Sequence, residues 1–150
     1  MKIPESVLVV VYTAQARVLL LERADHPGFW QSVTGSREPG DDGMRAICLR
    51  ELDEETGLRP ADGQLADWGY SNRYLIYPHW RSRYAPDVTH NTEHVFGFEL
   101  QHERDIVLAP AEHTRYQWLD WRAAAEQCFS STNVAAIREI PTRLAARGRP

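Results

Sequence analysis

The chain has 150 residues, 43% hydrophobic and 25% charged, ordinary values for a folded domain that exclude a fibrous repeat or a disordered polyelectrolyte. Its net charge of −4 comes with no basic run, so nothing in the field favours a nucleic acid polymer, and the expected partner is a small molecule. The longest apolar run, Val7 to Tyr12, is far below the roughly 20 residues that cross a bilayer and has no leader-like flank, which makes one cytoplasmic domain over residues 1–150, without a membrane partner, the expectation.

The β-branched and aliphatic runs SVLVVVYT (Ser6 to Thr13) and RVLLLER (Arg17 to Arg23), separated by a short polar turn, predict a hairpin or adjacent strands in the core of a sheet. After His26-Pro27-Gly28, the segment FWQSVTG predicts a short strand ending at Gly35, and the turn-rich SREPGDDG feeds a helix. That helix runs from Met44 to Thr56, with Cys48, Leu49 and Leu52 as its apolar stripe and Gly57 as its stop. Strands follow over Trp68 to Tyr77 and Glu93 to Leu100, joined by PHWRSRYAPDVTHNT, a connection long enough to suggest a functional loop. Tyr116 to Leu119 predicts another strand. WRAAAEQC and TNVAAIREI predict helices, the second opened by Thr132 or Asn133 and ended or kinked at Pro141. Strands mixed with two or three helices point to an α+β fold, a mixed sheet sandwiched between helices (α/β/α).

The densest chemical signal is RELDEETGL, Arg50 to Leu58. On a helix Glu51 and Glu55 share a face, and Glu54 lies three residues from Glu51 and beside Glu55. Like charges at these spacings repel unless a cation sits among them, and clustered carboxylate oxygens suit Mg²⁺, with Mn²⁺ as a substitute. Arg50, four residues before Glu54, is placed to hold that carboxylate.

These residues resemble the Nudix hydrolases, whose signature is G, five residues, E, seven residues, REUXEEXGU with U aliphatic. Gly35, Arg50, Glu51, Leu52, Glu54, Glu55, Gly57 and Leu58 match it in type. The first signature Glu is replaced by Asp41 or Asp42, and the interval from Gly35 to Arg50 is one residue longer than the pattern. Further stretches, FWQSVTGS, RYAPDVTHNTE, HERDIV and AEHTRYQWLD, are similar to one bacterial branch of that family, which acts on dihydroneopterin triphosphate and was once described as acting on dATP.

The resemblance implies a Mg²⁺-dependent pyrophosphohydrolase that forms the monophosphate and pyrophosphate, a step toward folate, with dATP and other nucleoside triphosphates as further substrates. It implies Glu51, Glu55, Glu54 and Glu112 as metal ligands. Glu54, Glu112 and Arg50 are the catalytic candidates, a carboxylate orienting and deprotonating the attacking water. For substrate it implies Lys2 and Arg23 toward phosphates, Thr34 and Gly35 near the metal end, the run Tyr74, Leu75, Ile76, Tyr77 near the ring, and Ser130. A broad nucleoside triphosphate pyrophosphatase and a catalytically silent, nucleotide-binding regulator are the alternative readings, and a monomer or homodimer is equally compatible.

Other residues carry less. The histidines His26, His79, His90, His94, His102 and His113 lack zinc-motif spacing and read as polar loop or strand residues. Cys48 and Cys128 read as buried free thiols. Among the tryptophans, Trp30 is the candidate pocket wall. No GxSxG elbow supports serine catalysis.

Overall fold

In the computed structural model, which describes residues 1–147, the two aliphatic runs form β1 (Glu5–Thr13) and β2 (Arg17–Arg23), as their composition requires. The FWQSVTG segment is broken at Ser32 into β3 (Trp30–Gln31) and β4 (Val33–Ser36). The remaining elements are α1 (Gly43–Thr56), β5 (Gln64–Leu75), β6 (His90–Leu100), β7 (His113–Asp120), α2 (Trp121–Gln127), α3 (Ser131–Arg138) and α4 (Ile140–Ala146). The expected mixed sheet between helices is present, with four α-helices among the described residues rather than two or three.

The topology of the sheet creates the site. β1 runs parallel to β6, and β6 carries β5 antiparallel on its other side. On its remaining edge β1 meets β2 through Tyr12 and Val18 only, then β4 over Ser6 to Val9. β2 meanwhile pairs with β3 and, across its other edge, with β7. β1 and β2 therefore diverge, β3 and β4 enter the gap, and side chains from β1, β2, β4 and β7 open toward one hollow.

Because neighbouring strand residues point to opposite faces, β1 feeds two cores. Val7, Val9 and Val11 pack with Leu19, Leu21, Phe96 and Phe98 beneath Ile47, Cys48 and Leu52 of α1. Leu8, Val10 and Tyr12 pack with Leu20, Trp68 and Val95 beneath Ala124, Ala136, Ile137 and Ile140 of α2, α3 and α4. Each such buried aliphatic side chain stabilises the fold by roughly 1.5–3 kcal/mol.

Three local expectations are corrected. The apolar stripe of α1 uses Ile47 with Cys48 and Leu52 while Leu49 is only half-buried, so the helix is rotated toward Glu51 and Glu55, both of which go inside. The N-cap of α3 is Ser130, whose hydroxyl accepts from the Asn133 amide at 3.5 Å, rather than Thr132 or Asn133. Trp30, 6% exposed, belongs to the α2–α4 core and is not among the residues that line the hollow. Pro141 falls in the first turn of α4, where its missing N–H leaves no bond unmade. Both cysteines are free thiols, Cys48 buried.

Candidate functional site

The hollow between the diverging strands is a cleft of about 650 Å³ that runs from the α1 carboxylates to the start of α3. Its acid end depends on the rotation of α1. Glu51 is 7% exposed and Glu55 1%, on the helix face that also carries Ile47 and Leu52. Room for them exists because position 35 is glycine: a Cβ there would overlap the Glu51 carboxyl group. Burial pushes the Glu51 carboxyl up to about 7, against the pull of the neighbouring Arg50 guanidinium. Glu55 is raised well above the ordinary glutamate value, first by burial and then by the charges of Glu51 and Glu112.

Glu55 meets two residues at the start of β7. Ligand atoms of Glu55, Glu112 and His113 lie within 4.8 Å of one another, with Glu112 exposed and His113 buried. Glu55 Oε2 and His113 Nδ1 are both buried without a partner, and His113 Nδ1 stands 3.6 Å from Glu55 Oε1. Arg23 donates to Gln31 Oε1 at 3.2 Å, which turns Gln31 Nε2 toward Thr34 Oγ1 (3.2 Å) and His113 Nε2 (3.3 Å). His113 then accepts at Nε2 and carries its proton on Nδ1, facing Glu55. Burial, with Arg23, pushes the imidazole down to about 4, which keeps it neutral. Carboxylates crowded together, with Glu55 Oε2 buried and unpartnered, fit a divalent cation, which would relieve the repulsion.

Arg50 braces this end from outside. It donates to Glu51 at 2.7 Å, to Asp41 at 2.9 Å and to the Ser36 carbonyl at 3.3 Å, tying helix, turn and strand together. Its contact with Glu54 is looser, 3.8 Å. Of the two candidate aspartates, Asp41 makes the contact. Asp42 is exposed at the helix start with no capping bond, and the Gly43 that follows it has φ +85°.

Along the cleft, Lys2 and Arg23 supply positive charge. Burial and the nearby Arg83 lower the Lys2 ammonium, whose backbone N–H is tied to the Arg83 carbonyl at 2.8 Å. Arg23 grips Asp25 through two bonds of 2.8 and 2.9 Å and lies 4.6 Å from the Trp80 ring centre. Trp80 comes from the long β5–β6 connection, where Pro78–Arg83 forms a 3₁₀ turn, and with Tyr77 and Phe129 it makes an aromatic cradle.

Of the residues named from sequence, Lys2, Arg23, Thr34, Gly35, Glu51, Glu55, Tyr74, Leu75, Tyr77, Glu112 and Ser130 line the cleft. Ile76 does not; it is 3% exposed and its side chain turns into the interior. Glu54 and Arg50 also lie outside the lining, Glu54 with its side chain 56% exposed on the solvent face of α1. Sequence reasoning passed over His113, Gln31, Trp80, Phe129, Asn91 and Glu93. His113 had one usable signal, its position next to Glu112; the others are brought in by strand pairing and by the fold of the connection.

Comparison with known proteins gives one family. The profile of the NUDIX domain matches residues 2–140. Dihydroneopterin triphosphate diphosphatase of Escherichia coli (strain K12) is 45% identical over 142 residues, 93% of each chain. The Haemophilus influenzae protein of the same name is 40% identical over 138 residues, 90% of this chain and 85% of its relative. The solved structure of the E. coli dihydroneopterin triphosphate pyrophosphohydrolase superposes with a TM-score of 0.87 at 43% identity, covering 95% of this chain and 97% of that one.

Proposed function

This chain belongs to the NUDIX family, and from that premise we propose that it hydrolyses dihydroneopterin triphosphate to the monophosphate and pyrophosphate with Mg²⁺ as its metal. One observation carries the proposal: a single cleft joins the carboxylates Glu51, Glu55 and Glu112 to the cations Lys2 and Arg23 and to an aromatic cradle. An acid end, a cationic middle and a flat apolar wall suit a metal-bound triphosphate attached to a planar ring.

Glu51, Glu55 and Glu112 are the residues that would hold the metal, with the neutral His113 imidazole 3.6 Å from Glu55. A bound divalent cation supplies charge neutralisation on the phosphates and makes water more acidic. Lys2 and Arg23 offset phosphate charge along the cleft, and Asp25 fixes the Arg23 guanidinium so that little ordering remains to be done on binding. Glu112, the exposed carboxylate of the cluster, is the group placed to take the proton of the attacking water. The water oxygen bonds to phosphorus, the anhydride bond between the first and second phosphates breaks, and its electron pair leaves with the departing phosphate group. Glu54, on the solvent face, is assigned a supporting electrostatic role rather than that of base or ligand.

Pyrophosphate release with Mg²⁺ across dihydroneopterin triphosphate, the deoxynucleoside triphosphates, a diadenosine polyphosphate and ADP-ribose tests the reading. The pterin triphosphate is expected to give the highest kcat/KM. A higher value for any nucleotide, or no release from the pterin, overturns it.

A further inference from the structure

The end of the cleft away from the acid cluster contains another buried carboxylate that the hydrolysis does not use. Glu93 on β6 is 5% exposed, and burial raises its carboxyl above the usual range. Among the described residues no cation pairs with it; its polar neighbours are the Asn72 amide at 3.4 Å and the Thr132 hydroxyl. Two residues earlier on the same strand face, Asn91 is 2% exposed. Its Nδ2 donates to Ser6 Oγ at 2.7 Å and to the Tyr74 hydroxyl at 3.2 Å, leaving a buried Oδ1 without a partner. Both residues line the cleft.

Asn91 Oδ1 is buried without a partner and Glu93 beside it is held by neutral groups only, so the pair calls for a ligand edge that carries hydrogen-bond donors, since an unsatisfied buried acceptor is costly. A carboxylate takes two parallel N–H groups in the fork geometry it uses with guanidinium. A 2-amino-4-oxopyrimidine ring offers that arrangement, a ring N–H beside an exocyclic amino group. Adenine instead sets a ring nitrogen lone pair beside its amino group, so one of its two positions faces the carboxylate acceptor to acceptor.

We infer that Glu93, with Asn91 beside it, is the specificity-determining pair that reads the 2-amino-4-oxo edge of the substrate ring, while the ring face lies on Tyr77, Trp80 and Phe129. The inference rests on the substrate reading above and deepens it. Cradle and carboxylate are linked through α3: Phe129 precedes Ser130, the Ser130 hydroxyl meets that of Thr132 at 3.0 Å, and Thr132 meets Glu93. A purely structural Glu93, satisfied by Asn72 and Thr132, would leave ring discrimination untouched.

The test uses the full-length protein and Glu93→Gln, whose side chain keeps its shape but turns one acceptor into a donor. Binding of neopterin, which has no phosphates, is followed by its own fluorescence, and kcat/KM is measured for dihydroneopterin triphosphate and dATP in the same preparation. The substitution is expected to weaken neopterin binding and to lower the pterin-to-adenine kcat/KM ratio, each by roughly 10- to 100-fold. Circular dichroism and thermal unfolding of the same sample report that the variant is folded. Equal neopterin binding by the two proteins, an unchanged ratio, or no neopterin binding by the unaltered protein overturns the inference. Glu93-dependent neopterin binding without pyrophosphate release from the pterin triphosphate supports ring reading and sinks only the proposed reaction.

Discussion

The two ends of the cleft are built by different means. At the acid end the contributors sit on or beside regular elements, α1, β2, β3, β4 and β7, and three of their side chains are held by a named partner: Glu51 by Arg50, His113 by Gln31, Gln31 by Arg23. At the ring end the cradle comes from the 3₁₀ turn Pro78–Arg83 with Tyr77 before it and from the loop before α3, and its aromatic groups hold one another by edge-on and tilted contacts. The acid end resembles a preorganised electrostatic device, in which small displacements are costly; the ring end resembles an adaptable binding surface. Substitutions at the first should therefore act on turnover, and those at the second on affinity.

The sharpest way to break this contrast is on α1 itself. Glu55→Gln, within the buried cluster, is expected to lower kcat for pyrophosphate release by about 10³-fold. Glu54→Gln, one residue away but solvent-facing, should cost no more than about fivefold, the scale of an exposed ion pair. Equal losses would show that Glu54 enters the site. Next in size is Gly35→Ala: its methyl group must displace the flexible end of Glu51, so kcat is expected to drop about 10²-fold. Thermal unfolding should show a much smaller change.

At the ring end, Trp80→Ala or Phe129→Ala is expected to raise KM about tenfold, the scale of one lost stacking partner, with kcat nearly unchanged. A fall in kcat without a change in KM would contradict the division of labour. The acid end also makes a pH prediction. Glu51 is raised to about 7 from an ordinary 4.5, so the stability that its protonated form contributes is complete below 4.5 and is lost as pH rises through 7. Metal-free protein should accordingly lower its Tm by roughly 3–8 °C between pH 5 and pH 8, and added Mg²⁺ should restore more of it at pH 8 than at pH 5. A Tm that is flat with pH in the metal-free protein would count against a buried carboxylate cluster. The smallest expected difference lies in the turn: Asp41→Asn, which weakens the Arg50 brace, should lower the midpoint of chemical denaturation slightly, and Asp42→Asn should leave it unchanged.

The sequence by itself determined the local structure and the carboxylate spacing of the acid end. β1, β2 and α1 were legible because β-branched runs and a helical carboxylate spacing are local properties, readable within about ten residues. Glu51 and Glu55 were legible for the same reason. Tertiary structure alone decided which way α1 faces, and hence that Glu54 is in solvent while Glu55 is inside. It decided between Asp41 and Asp42, because Arg50 reaches only one of them. It also brought His113, Gln31, Trp80 and Glu93 to one cleft from positions scattered along the chain. No pattern in sequence encodes where β1 and β2 part: that depends on the register of pairing between strands distant in the chain, settled only when both sheet faces are buried at once.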